Sequence, residues 1–186
     1  MYSSFFKIYI FLAIILIFFS YFTISFSNNS NIQEEKIESQ IFYWPLPGNH
    51  KITSKFGKRT APTNGASSYH SGIDIAATEG TPIYACFPGL VTFIGFKGAG
   101  GYTITIKNDS ITASYCHVSP NYLFKTGDYV TSQSIIAHIG PKYVYNIINN
   151  PYKDSSGKPT NGATTGCHLH LTIKKDGKAV NPLNYF

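Results

Sequence analysis

The chain has 186 residues, 43% of them apolar and 13% charged, with 14 Tyr, 14 Phe and a formal charge of +6. That composition excludes a disordered chain and favours a β-rich globular domain. The basic excess points to an anionic partner. The Lys and Arg are scattered, with no run of five like charges and no Arg-rich helix, which argues against nucleic acid and for an anionic polymer such as a cell wall.

The first element is the apolar segment FFKIYIFLAIILIFFSYFTISF, residues 5–26. Its stretch 8–26 has 19 positions, enough to span a bilayer as a helix. Lys7 precedes it, and Glu34 and Glu35 follow well after, which favours a cytoplasmic N-terminus. The expectation is a single-pass anchor over 1–27 in the cytoplasmic membrane, a polar linker over 28–43, and a β domain over 44–186 outside the cytoplasm. A cleaved signal peptide with its junction at Ser25-Phe26-Ser27 is the competing reading, and it makes the protein secreted. No Cys follows the apolar run, which speaks against a lipoprotein.

From Trp44 onward the chain carries 13 Lys/Arg against 6 Asp/Glu. Short β-branched or aromatic runs follow one another between Gly, Pro and Asn: YHSGIDIA, TPIYACF, LVTFIGF, YTITIKN, SITASYCHV, SIIAHIG and CHLHLTI. Hairpins are expected at Pro88-Gly89-Leu90 and Lys107-Asn108-Asp109. No strong 3.6-residue periodicity appears after residue 44, so the fold class is an all-β domain, preceded by the membrane-spanning helix. Residues 141–163 form a long polar loop, read as a groove wall or a surface insertion.

Six histidines carry the chemistry: His50, His70, His117, His138, His168 and His170. In a strand, residues two apart share a face, so His168 and His170 point together while Leu169 and Leu171 point away. Read as one strand, YHSGIDIA puts His70, Gly72 and Asp74 on one face, with Gly72 offering no side chain to obstruct an ion between the other two. A neutral imidazole and a carboxylate suit zinc, and His70, Asp74 and one of the His168/His170 pair supply the three ligands of a catalytic zinc site. His117 closes a strand just before Pro120, at a rim. His50 and His138 read as structural. After residue 40 the sole glutamate is Glu79, in a turn, so the general base is expected to be a histidine: His117 or the unligated member of the pair. No CxxC occurs, which argues against a thiolate zinc site. Cys116 and Cys167 each precede one of these histidines, on what the alternation makes the far side of the strands, where a disulfide is conceivable in an oxidising exterior.

YHSGIDI, SYCHV and TTGCHLHLTI, in that order, resemble the three motifs of the lysostaphin/LytM-type zinc metalloendopeptidases, the duplicated-hybrid-motif group of peptidoglycan-cleaving enzymes. The resemblance runs from ITSKFGKR at 52–59 to NPLNYF at 181–186. It implies one zinc ion held by His70, Asp74 and His170, with His117 and His168 catalytic. It also implies a grooved antiparallel sheet and cleavage of peptide bonds in peptidoglycan stems or cross-bridges. Cys167 stands where the family commonly has Pro, Leu171 where it has an aromatic, and the 141–163 loop is longer than usual. The alternative is a catalytically silent peptidoglycan-binding or activator scaffold, since some members of the family have lost ligands. A secreted metal-binding adhesin is a third reading.

Overall fold

The computed structural model describes residues 41–186. The expected apolar anchor and most of the linker lie outside the described residues. One compact unit runs from Phe42 to Phe186.

In chain order the strands are β1 (Ile52–Ser54), β2 (Gly57–Lys58), β3 (Tyr69–His70), β4 (Ile73–Ala76), β5 (Pro82–Tyr84), β6 (Gly89–Phe96), β7 (Tyr102–Asn108), β8 (Ile111–Cys116), β9 (Tyr129–Val130), β10 (Ile135–His138), β11 (His168–Lys175) and β12 (Lys178–Val180). All pairings between them are antiparallel. The main sheet runs β1-β4-β11-β8-β7-β6-β9, with β12 also on β11. Two small pairs, β2 with β3 and β5 with β10, complete the fold. Among the described residues there is no α-helix; two 3₁₀ turns occur at Gly98–Gly100 and Pro182–Asn184.

Period-two alternation decides which face is which. Leu169, Leu171 and Ile173 of β11, Ala113 and Tyr115 of β8, and Ile104 and Ile106 of β7 have no exposure and meet Phe87, Ile83 and Leu46 in the core. The intervening residues of the same strands face a groove on the other side of the sheet. The core is closed by a polar clasp: the Cys86 N–H donates to the Tyr115 hydroxyl at 2.8 Å. Burial pushes the Cys86 thiol up to about 12, so it behaves as a small hydrophobe.

Three expectations are corrected. YHSGIDIA is two strands, β3 and β4, with a bend at Ser71 and Gly72. Gly72 is there because a Cβ would collide with the Leu171 carbonyl of β11, not to make room for an ion. The 107–109 hairpin joins β7 to β8, with Asp109 in the left-handed region at φ 48°. By contrast, Pro88-Gly89-Leu90 is no hairpin: β5 pairs with β10, and β6 pairs with β7 and β9. After β5 the backbone has other partners, since the Ala85 N–H goes to the Ser134 carbonyl and that of Cys86 to Tyr115.

Candidate active site

β11 lies between β4 and β8, and its register sets the site. His170 pairs with Asp74 on one side and Cys116 on the other, while His168 pairs with Ala76. His70 comes in from β3, just before the bend. Three donor atoms converge: His70 Nε2 is 2.9 Å from His170 Nδ1 and 3.1 Å from Asp74 Oδ1, and His170 Nδ1 is 2.8 Å from Asp74 Oδ1.

The outer atoms are already committed. His70 Nδ1 lies 2.9 Å from the Lys55 carbonyl, which can only accept, so Nδ1 carries the proton and Nε2 presents a lone pair. His170 Nε2 is paired with the Thr172 hydroxyl at 2.9 Å, leaving Nδ1 for the cluster. Asp74 Oδ2 accepts from Arg59 Nη1 at 3.1 Å, leaving Oδ1. Burial alone raises the Asp74 pKa, but the facing imidazoles of His170 and His70 more than offset it and hold the carboxyl below its usual range. Two imidazole lone pairs and a carboxylate oxygen in one small space are a borderline, electron-rich donor set that fits a zinc ion.

His117 and His168 stand beside this cluster, with ring centroids 4.6 Å apart. His117 is 6.2 Å from His170 by the same measure, and His168 Nε2 lies 3.6 Å from Asp74 Oδ1. Each donates Nδ1–H to a backbone carbonyl: His117 to Asn161 at 2.6 Å, His168 to Gly166 at 2.8 Å. In the neutral ring this leaves Nε2 as the acceptor in both. Burial, reinforced by the neighbouring His168 and His170, pushes the His117 pKa down to about 3, so this imidazole is neutral at physiological pH. All five residues line one groove of about 700 Å3. His50 stacks on Trp44 with ring centroids 5.5 Å apart and His138 lies on β10; neither lines the groove.

The family model for peptidase family M23 matches residues 68–151. In structure, the chain is similar to the catalytic domain of the prophage-encoded M23 protein EnpA from Enterococcus faecalis. The identity is 30% and the TM-score 0.56, covering 78% of this chain and 97% of that one. The chain belongs to peptidase family M23. It is 30% identical over 135 residues to the DD-carboxypeptidase/endopeptidase Mpg of Neisseria meningitidis serogroup B, covering 72% of this chain and 26% of that protein. It is 29% identical over 144 residues to the murein hydrolase activator NlpD of Escherichia coli, covering 76% and 30%. The chain thus spans about a quarter to a third of these curated relatives.

Within this M23 domain the 141–163 loop has a role the sequence reading missed. Its end delivers Asn161, which is fully buried. Besides accepting from His117, Asn161 accepts from the Tyr102 N–H through Oδ1 at 2.7 Å and donates Nδ2–H to the Val118 carbonyl at 3.1 Å. Its neighbours are shaped around it. Cβ atoms on Gly101 and Gly140 would strike Asn161, and one on Gly162 would strike Gly101. His117 itself sits in the left-handed region at φ 60°, held by its N–H on the Gly100 carbonyl and its own carbonyl on the Gly140 N–H. The sequence signal for this was a single Asn before a Gly at the end of a polar loop, too common to single out.

Cys116 also departs from expectation. The left-handed turn at His117 puts Cys116 and His117 both on the groove side, so Cys116 lies on the His170 row and not behind it. All three cysteines are free thiols.

Proposed function

We propose that this chain is a zinc-dependent endopeptidase that hydrolyses peptide bonds in the stems or cross-bridges of bacterial peptidoglycan. One observation carries the reading. A complete His70-Asp74-His170 donor set and two imidazoles with free Nε2 atoms, those of His117 and His168, open onto the same groove. One zinc ion held by the three donors supplies a Lewis acid for the scissile carbonyl and lowers the pKa of water beside it.

The chain's own residues do the rest. The Nε2 atoms of His117 and His168 accept the proton of the attacking water, and a protonated imidazole returns it to the leaving amine. Their Nδ1–H bonds to Asn161 and Gly166 keep both rings in the tautomer this requires. The imidazolium Nε2–H also offers a donor to the negative charge that develops on the carbonyl oxygen. The basic domain suits an anionic wall polymer. The apolar segment before it anchors the protein in the cytoplasmic membrane, with the β domain on the outer side.

A second reading, an activator without turnover, is favoured by the similarity to NlpD, named as a murein hydrolase activator. The test is incubation of the zinc-loaded protein with purified peptidoglycan and mass spectrometry of what is released. Peptide-bond cleavage products, absent after chelation, are expected. Zinc-bound protein that releases nothing from several wall types, yet stimulates a separate murein hydrolase, would establish the activator instead.

A further inference from the structure

The sheet face that floors the groove continues beyond the histidines, with Lys174 on the groove lining and Thr105, Thr112 and Lys107 just outside it. Next to the His170–Cys116–Thr103 row the register places Thr172, Ser114 and Thr105, and after them Lys174, Thr112 and Lys107. Thr105 Oγ1 and Ser114 Oγ are 3.0 Å apart, and Thr172 Oγ1 touches His170. Ser114, Thr172 and Lys174 line the groove together with the site residues. Asp74 is the one acidic residue along that lining, and it is committed to the site. Lys107 and Lys174 are exposed, and among the described residues neither has a carboxylate partner.

At the rise of a strand, Lys174 stands roughly 13 Å along β11 from His170, a length that an extended peptide covers in about four residues. We propose that the Lys107/Lys174 row is a carboxylate subsite, so that the groove takes peptides with a free carboxylate about four residues from the scissile bond. The hydroxyl row between offers backbone hydrogen bonds without charge. The inference rests on the proposed function for the kind of peptide, but its test does not need turnover.

Calorimetry compares muropeptides carrying a free carboxylate with the same muropeptides converted to the carboxamide. The wild type is expected to bind the acid about fivefold more tightly at low salt, with the margin shrinking as salt rises. Lys107→Gln with Lys174→Gln, both at exposed positions that leave the core untouched, is expected to erase the margin. No preference in the wild type, or a preference that survives both substitutions, overturns the subsite. Failure of the enzyme reading would appear in turnover, which this measurement does not use.

A different observation carries a second inference. Arg59 Nη1 donates to both Asp74 Oδ2 and the Ser54 hydroxyl, and that hydroxyl lies 3.2 Å from His70 Nδ1. One guanidinium thus ties two members of the donor set together and leaves Asp74 a single oxygen, Oδ1, facing the cluster. We infer that Arg59 is a positioning residue that makes Asp74 a one-oxygen ligand. Zinc affinity is read by competition with a chromogenic chelator, with the fold of each metal-free variant checked by circular dichroism. Arg59→Gln is expected to weaken zinc about 10- to 100-fold, and Arg59→Lys, which keeps the charge, to recover part of the loss. Unchanged affinity in both folded variants overturns the inference. A wild type that holds no zinc overturns the proposed function as well.

Discussion

Asp74 and His170 stand inside paired strands and are fixed by register, with His70 joining them from the end of β3, whereas His117 and His168 stand where a strand ends or begins and have their rings fixed by loop carbonyls. On the metal side, β4 and β11 pair residue against residue, and the rings find their outer partners in Lys55, Thr172 and the carboxylate. On the histidine side, the partners are Asn161 and Gly166, both from the chain that returns after a long excursion. One half is built by periodicity and the other by a loop folded back into the core. They are expected to fail differently.

The largest effects separate the halves outright. His170→Ala or Asp74→Ala removes a donor from the convergent set, and zinc binding measured by competition is expected to collapse along with turnover. His117→Ala and His168→Ala should keep zinc while lowering turnover about 100- to 10,000-fold, the range for loss of a proton-transfer group. Equal zinc loss in all four variants would erase the distinction.

Asn161→Ala sharpens the contrast. It leaves the Asn161 backbone carbonyl in place but orphans the Tyr102 N–H and the Val118 C=O, each costing roughly 1–3 kcal/mol. A lower melting temperature and reduced turnover are expected, with zinc affinity near that of the wild type. Its counterpart is Gly72→Ala, whose new methyl would press on the Leu171 carbonyl and push β4 away from β11. That variant is expected to lose zinc affinity first.

The all-β class and the shared face of His168 and His170 were legible because both follow from alternation. Leu169 and Leu171 bury one face of β11, so His168 and His170 must occupy the other. His70 and Asp74 converge even though a bend separates them. The assignment of His170 to the metal and His168 to catalysis is what the family resemblance implies, as spacing alone could not divide two residues on one face. Illegible were the features set by non-local backbone. These include the left-handed backbone that swings His117 onto the groove side beside Cys116, the close approach behind Gly72, and the route by which Asn161 reaches His117 across 44 positions. The supposed hairpin at Pro88 failed for the same reason, since the true partner of β5 lies far along the chain in β10.

The smallest effect lies at the outer end of the long loop. Asp154 accepts from Ser156 and the Tyr143 hydroxyl, and these bonds hold its carboxyl below the usual range. A lowered folded-state pKa contributes stability that is fully present above the ordinary carboxylate value of about 4 and is lost as pH falls. Hydrogen exchange of the Ser156 and Lys158 amides is expected to quicken in wild type as the pH drops below that value, after correction for intrinsic rates. Asp154→Asn should show no such step. Zinc affinity at neutral pH should be unaffected by the substitution.

The central claim is that three residues hold the metal and two others work beside it in one groove. It is tested most directly by measuring, on the same preparations, zinc content and the release of muropeptides from purified peptidoglycan for the wild type, His168→Ala and His170→Ala. The account predicts zinc with cleavage in the wild type, zinc without cleavage in His168→Ala, and neither in His170→Ala. Cleavage retained by zinc-loaded His168→Ala, or a zinc-loaded wild type that releases nothing, would contradict it.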